Sequence, residues 1–72
     1  FKAFYNRGKC YYHQKYHEEA LSDFLIASSL KKDHAATHDY LSELFSLQGD
    51  EEMAEKHKLI AEKLRTRRPR KS

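Results

Sequence analysis

Five histidines, one cysteine and a C-terminal run of arginines are the side chains of this 72-residue sequence that invite chemistry. His13/His17 and His34/His38 are each spaced i, i+4, which on a helix sets two imidazoles on one face, the usual beginning of a zinc site. Zinc takes three or four ligands, however; His13 and His17 straddle an expected turn, and His34 stands at a helix start. The histidines are therefore read as solvated or packing groups, and no metal is assigned. Cys10 has no second cysteine to bridge, which fits a reducing compartment. There is no Gly-rich phosphate loop and no nucleophile with a matched base. Glu51 and Glu52 read as first-turn acids of a helix rather than as a catalytic pair. The chain is expected not to be an enzyme and to hold no cofactor.

The elements that carry these residues read as helices. From Phe1 to Gln14 the aromatics Phe1, Phe4, Tyr5, Tyr11 and Tyr12 interleave with Ala3, Gly8 and Cys10, which suits a helix at about 2–14 with a close neighbour. Glu18 and Glu19 mark the positive end of a second helix, about 17–30, with a stripe of Ala20, Leu21, Phe24, Leu25, Ala27 and Ser28. Asp33 is the expected cap of a third, about 34–47, whose apolar positions are Leu41, Leu44, Phe45 and Leu47. Gly49 stops it, and Asp50 caps a fourth, about 51–65, that carries Met53, Ala54, Leu59, Ile60, Ala61 and Leu64.

Length and charge narrow the function. A chain this short has little room for an internal cavity, so its work is expected on the surface. No apolar run approaches the roughly 20 residues needed to span a bilayer, and no secretory signal is evident. An intracellular, cytoplasmic or nuclear, location is expected. Because the chain starts without Met and already inside a helical pattern, it is expected to be a piece of a longer protein. The stretch 65–72 holds Arg65, Arg67, Arg68, Arg70 and Lys71 with no acid; subtracting this +5 from the net +3 leaves −2 for the rest. The basic balance thus belongs to a tail, expected to be disordered, that suits polyanion contact or nuclear localisation.

A return after 34 positions organises the whole. Gln14/Gln48, Glu18/Glu52, Ala20/Ala54, Leu25/Leu59, Ile26/Ile60, Ala27/Ala61 and Leu30/Leu64 are identical pairs at that offset. With an aromatic at Phe4, then Gly8, Tyr11, Ala20, Phe24 and Ala27, the first unit resembles a tetratricopeptide repeat. The second keeps Leu41, Phe45, Gly49, Ala54 and Ala61. The departures are Lys32 for a proline, Arg7 and Lys58 for apolar residues, Lys15 for the turn glycine, Ser42 for the helix-contact glycine and His38 for an aromatic.

The resemblance implies an all-α right-handed solenoid segment of about four antiparallel helices, with unit one at 1–34, unit two at 35–64 and the tail at 65–72. It also implies an interaction scaffold whose groove is lined by Lys2, Tyr5, Asn6, Lys9, Tyr12 and His13, then Ala36, Asp39, Tyr40, Glu43, Ser46 and Leu47. An extended peptide is expected across Tyr5, Tyr12 and Tyr40, with Asn6 bonding its backbone and Lys2 or Lys9 taking an acidic residue. Expected partners are another protein or peptide, upstream units of the same chain and a second copy. Nucleic acid, through the tail, is the alternative.

Overall fold

A computed structural model gives the fold and describes residues 1–67, Arg67 by its backbone alone. Four helices follow one another: α1 (Lys2–His13), α2 (His17–Leu30), α3 (Ala35–Leu47) and α4 (Glu51–Arg67). No strand occurs among the described residues. Each helix packs on the next in sequence. Helix α4 passes beyond the expected end near 65, so Arg65 belongs to a helix and not to a tail. Arg68, Arg70 and Lys71 lie outside the described residues.

The turn from α1 to α2 and the turn from α3 to α4 close in the same way. After α1, the amide of Lys15 donates to the Tyr12 carbonyl at 3.1 Å and that of Tyr16 to the Tyr11 carbonyl at 2.8 Å. After α3, Gly49 donates to Ser46 at 3.0 Å and Asp50 to Phe45 at 2.9 Å. Both are Schellman closures, which require a left-handed residue at the pivot. Gly49 takes φ +85 without a side chain to object. Lys15 takes φ 69 despite its Cβ.

Helix starts differ more. Asp50 Oδ1 accepts from the Met53 amide at 3.2 Å, as an N-cap does, and Glu51 and Glu52 occupy the first turn of α4. Asp33 does not cap α3, contrary to the expectation. The cap position is His34, without a side-chain cap bond, because the chain enters α3 one residue later. Asp33 meets Lys31 Nζ at 3.6 Å instead.

The core gathers Ala20, Phe24, Leu41, Leu44, Phe45 and Ala54, with Tyr5, Tyr11, Tyr12, Leu21, Tyr40 and Met53 packed around them. Gly8 is small for a reason: a Cβ built there would meet the Phe24 ring at 3.0 to 3.2 Å. Burying Phe24 completely contributes about 1.5–3 kcal/mol. In unit two the corresponding position is Ser42, whose hydroxyl donates to the Ala54 carbonyl at 2.8 Å and spans the same crossing. Ala27 and Ala61 are fully buried, one on each second helix.

Three expected core leucines face outward: Leu25, Leu47 and Leu59 are 40%, 57% and 46% exposed. Polar groups are buried on the same three helices: Asp23 on α2, Thr37 and His38 on α3, and His57 on α4. A helix stripe read by hydropathy alone rotates toward leucine, whereas the packed face follows whichever residues find a partner.

Candidate functional site

Three tyrosines from two helices converge on one open face. Tyr5 comes from the first turn of α1 and Tyr12 from its last, and Tyr40 comes from the middle of α3. Tyr40 stacks on Phe24 with centroids 4.6 Å apart and a 6° tilt, which turns its edge to Tyr12 at 5.1 Å and to Tyr5 at 6.1 Å. Each tyrosine is half-buried.

Carboxylates from α3 border this aromatic patch. The Tyr12 hydroxyl donates to Glu43 Oε2 at 2.5 Å, and this bond, ahead of burial, pushes the phenol pKa up to about 12. Asp39 accepts from Arg65 of α4, at 3.3 Å from Nη1 to Oδ1 and through a second bond from Nη2 to Oδ2. Burial, then the proximity of Tyr40 and Asp39, raises the Tyr5 pKa. Tyr5, Ala36, Asp39, Tyr40 and Glu43 line a recess of about 280 Å³ between α1 and α3. At its rim Lys9 Nζ sits 5.2 Å from the centre of the Tyr5 ring.

The other residues expected in the groove are distributed along the same helices. Lys2 and Asn6 stand exposed on α1, and His13 lies edge-on to Tyr12 at 5.6 Å. Ser46 and Leu47 border a second recess between α3 and α4, together with Glu51, Ala54, Glu55 and Lys58. A recess of about 800 Å³ lies elsewhere, at the start of α3 and the end of α4 between Lys31, His34 and Arg65. His34 is the one aromatic ring among its lining residues, so the smaller recess lined by Tyr5 and Tyr40 is the better candidate for recognition.

Two polar pairs were not legible as pairs in the sequence. On unit one Arg7 reaches from α1 to Asp23 on α2 with both prongs, Nε to Oδ2 at 2.8 Å and Nη2 to Oδ1 at 3.0 Å. The arginine is more than half exposed while the carboxylate is buried, so the solvent-facing partner brings its charge to the sheltered one. The guanidinium also lies 5.7 Å from the Phe4 ring centre and 5.9 Å from that of Tyr11.

On unit two the buried pair is His38 and His57, Nδ1 to Nδ1 at 2.9 Å, with rings near-parallel and 5.1 Å apart. His38 Nε2 faces the Lys32 carbonyl at 2.9 Å; a carbonyl only accepts, so the ring carries a proton there. With the proton on Nε2, the Nδ1 of the His38 tautomer is an acceptor that matches an N–H of His57. His57 also stacks on Phe45 at 5.6 Å. Burial, followed by the neighbouring His38 and Lys56, lowers the His57 pKa. The sequence pairing of His34 with His38 gives way to this tertiary one: His34 Nδ1 bonds the Thr37 hydroxyl at 2.8 Å. Two imidazoles fall short of a zinc ligand set, and among the described residues no group of three potential ligands comes together.

No helix among the described residues is long and apolar enough to cross a membrane. A scan against protein-family models finds no match, and a search of curated proteins finds none either.

Proposed function

We propose that this chain is a two-unit segment of tetratricopeptide type that acts as an interaction scaffold, taking an extended peptide or a neighbouring subunit on the face shared by α1 and α3. The observation that carries this reading is the convergence of the half-buried Tyr5, Tyr12 and Tyr40 beside an open recess, since clustered aromatics with part of their surface accessible are what protein interfaces enrich. The repeat assignment is supported by the identical turn closures 34 residues apart and by the small residues Gly8, Ala20 and Ala54 at the helix crossings. Binding, not catalysis, is the role, and lone Cys10 supports a location inside the cell, in cytoplasm or nucleus. Arg65, engaged with Asp39, is withdrawn from any polyanion-binding tail.

The test is capture of partners from a cell extract by three proteins: wild type, Tyr5→Ala/Tyr12→Ala, and a chain ending at Arg67. The tyrosine variant, checked for folding by circular dichroism, is expected to lose the partners that wild type and the truncated chain retain. Loss on truncation with retention in the tyrosine variant transfers the function to the basic tail.

A further inference from the structure

The recess beside the tyrosines has a definite electrostatic sign. Its walls are the ring edges and faces of Tyr5 and Tyr40 and the carboxylates of Asp39 and Glu43, and no cation is among its lining residues. An aromatic wall attracts positive charge through its quadrupole, and a carboxylate beside it adds directional acceptors. The chain's own cations already behave accordingly. Lys9 places its ammonium over Tyr5, and Arg65 crosses from α4 to grip Asp39 with both prongs. Two independent side chains, from helices on either side, thus converge on the same rim. Neither fills the recess, and Asp39 and Glu43 each remain exposed to accept further bonds. Farther along, Glu51 and Glu55 border the adjoining α3/α4 recess beside Lys58 and extend the negative strip.

We propose that the recess formed by Tyr5, Ala36, Asp39, Tyr40 and Glu43 is a pocket for a cationic side chain, an arginine above all, of a partner peptide. This rests on the reading of the α1/α3 face as a peptide groove and reverses the sign expected from Lys2 and Lys9. A planar guanidinium stacks on the tyrosine and reaches a carboxylate at the same time, which an ammonium does less well. Lys9 and Arg65 engage Tyr5 and Asp39 from outside the recess, so both compete with an incoming cation for those two groups.

Selection from a random dodecapeptide display library on the immobilised chain, read by sequencing, tests the pocket. Titration with N-acetyl-arginine amide and N-acetyl-glutamate amide, followed by backbone amide NMR shifts, accompanies it. Enrichment of arginine is expected, as are shifts at the five lining residues for the arginine compound and none for the glutamate one. Asp39→Asn/Glu43→Gln should weaken a selected peptide about tenfold or more, and Arg65→Ala should tighten it two- to threefold, by about 0.4–0.7 kcal/mol. A role for Asp39 limited to anchoring α4 predicts the opposite response to Arg65→Ala.

Acidic or neutral selected peptides that shift the same tyrosines overturn the cationic pocket and leave the groove standing. No enrichment together with no shifts removes both. If a chain ending at Arg67 gains binding, or wild type self-associates in sedimentation and the truncated chain does not, the pocket's occupant is the chain's own basic end and the partner assignment is overturned.

Discussion

Units one and two share a helix-turn-helix closure and differ in what packs against it. Position 23 of unit one and position 57, 34 residues later, are both polar and both buried on the second helix of their pair. In unit one the partner is Arg7, a permanent cation that stays half in water and carries a carboxylate into the packing. In unit two Leu41 stands where Arg7 does, and the partner moves one turn back to His38, the counterpart of Phe4. The same exchange runs through the turns, where Lys15 answers to Gly49, and the crossings, where Gly8 answers to Ser42. A repeat thus preserves where a group must be satisfied and leaves open which chemistry satisfies it.

The largest separation between the units should come from overfilling their crossings. Ala20 is sealed, whereas Ala54 opens on the α3/α4 recess. Ala20→Leu should therefore destabilise by about 1–3 kcal/mol and Ala54→Leu by less than about 1 kcal/mol, read by urea unfolding. Equal losses would erase the distinction. Next come the pivots: Lys15→Gly should stabilise by up to about 1 kcal/mol and Gly49→Ala destabilise by about 1 kcal/mol, since only the former relieves a left-handed side chain. Opposite thermal shifts check this pair.

The smallest effect vanishes at neutral pH. Burial holds the folded-state pKa of His57 below its unfolded value of about 6.5, so above that value the ring is neutral in both states and contributes no pH dependence. As pH falls below 6.5 the unfolded chain takes up its proton first, and stability declines until the folded ring titrates too. Two histidinium rings would also oppose N–H to N–H across 2.9 Å. His34, lowered in the same direction chiefly by burial, adds to the slope. His38→Phe/His57→Leu should flatten the stability profile between pH 7 and 5, leaving the His34 part. An unchanged slope would mean that unit two's histidine pair contributes nothing to the acid response.

Legibility followed the range of the interactions. Helix spans and the Gly49 turn are written in local spacing, and Gly8 with Ala20 marked a close crossing because small residues have few other reasons to recur there. Asp23 was missed because an acid on a helix reads as solvent-facing until its partner is known. The available clue was a misplaced cation, Arg7, at an otherwise apolar position. The i, i+4 rule found His38 but gave it the wrong neighbour, since its partner comes from the next helix, 19 residues on. Leu25 and Leu59 show the converse. They are identical across the repeat and both exposed, because recurrence records a shared position and not the depth of that position. Tyr5, Tyr12 and Tyr40 do meet on one face, and the acidic character of the second unit's groove residues Asp39 and Glu43 is legible in the sequence, whereas the reach of Arg65 from α4 to Asp39 is a tertiary contact that spacing does not give.

The extended residue at the end of α2 has a consequence for handling the molecule. Lys31 leaves the helix at φ −143, ψ 94, the stretched form that a protease cleft accepts, and its side chain is half exposed. Lys15 offers trypsin the same side chain inside a tight hydrogen-bonded turn, and the Lys32 carbonyl is held by His38. Among the bonds of residues 1–66, brief digestion should therefore nick the one after Lys31 first and divide the chain between its two helical hairpins, a cleavage map obtainable by mass spectrometry in minutes.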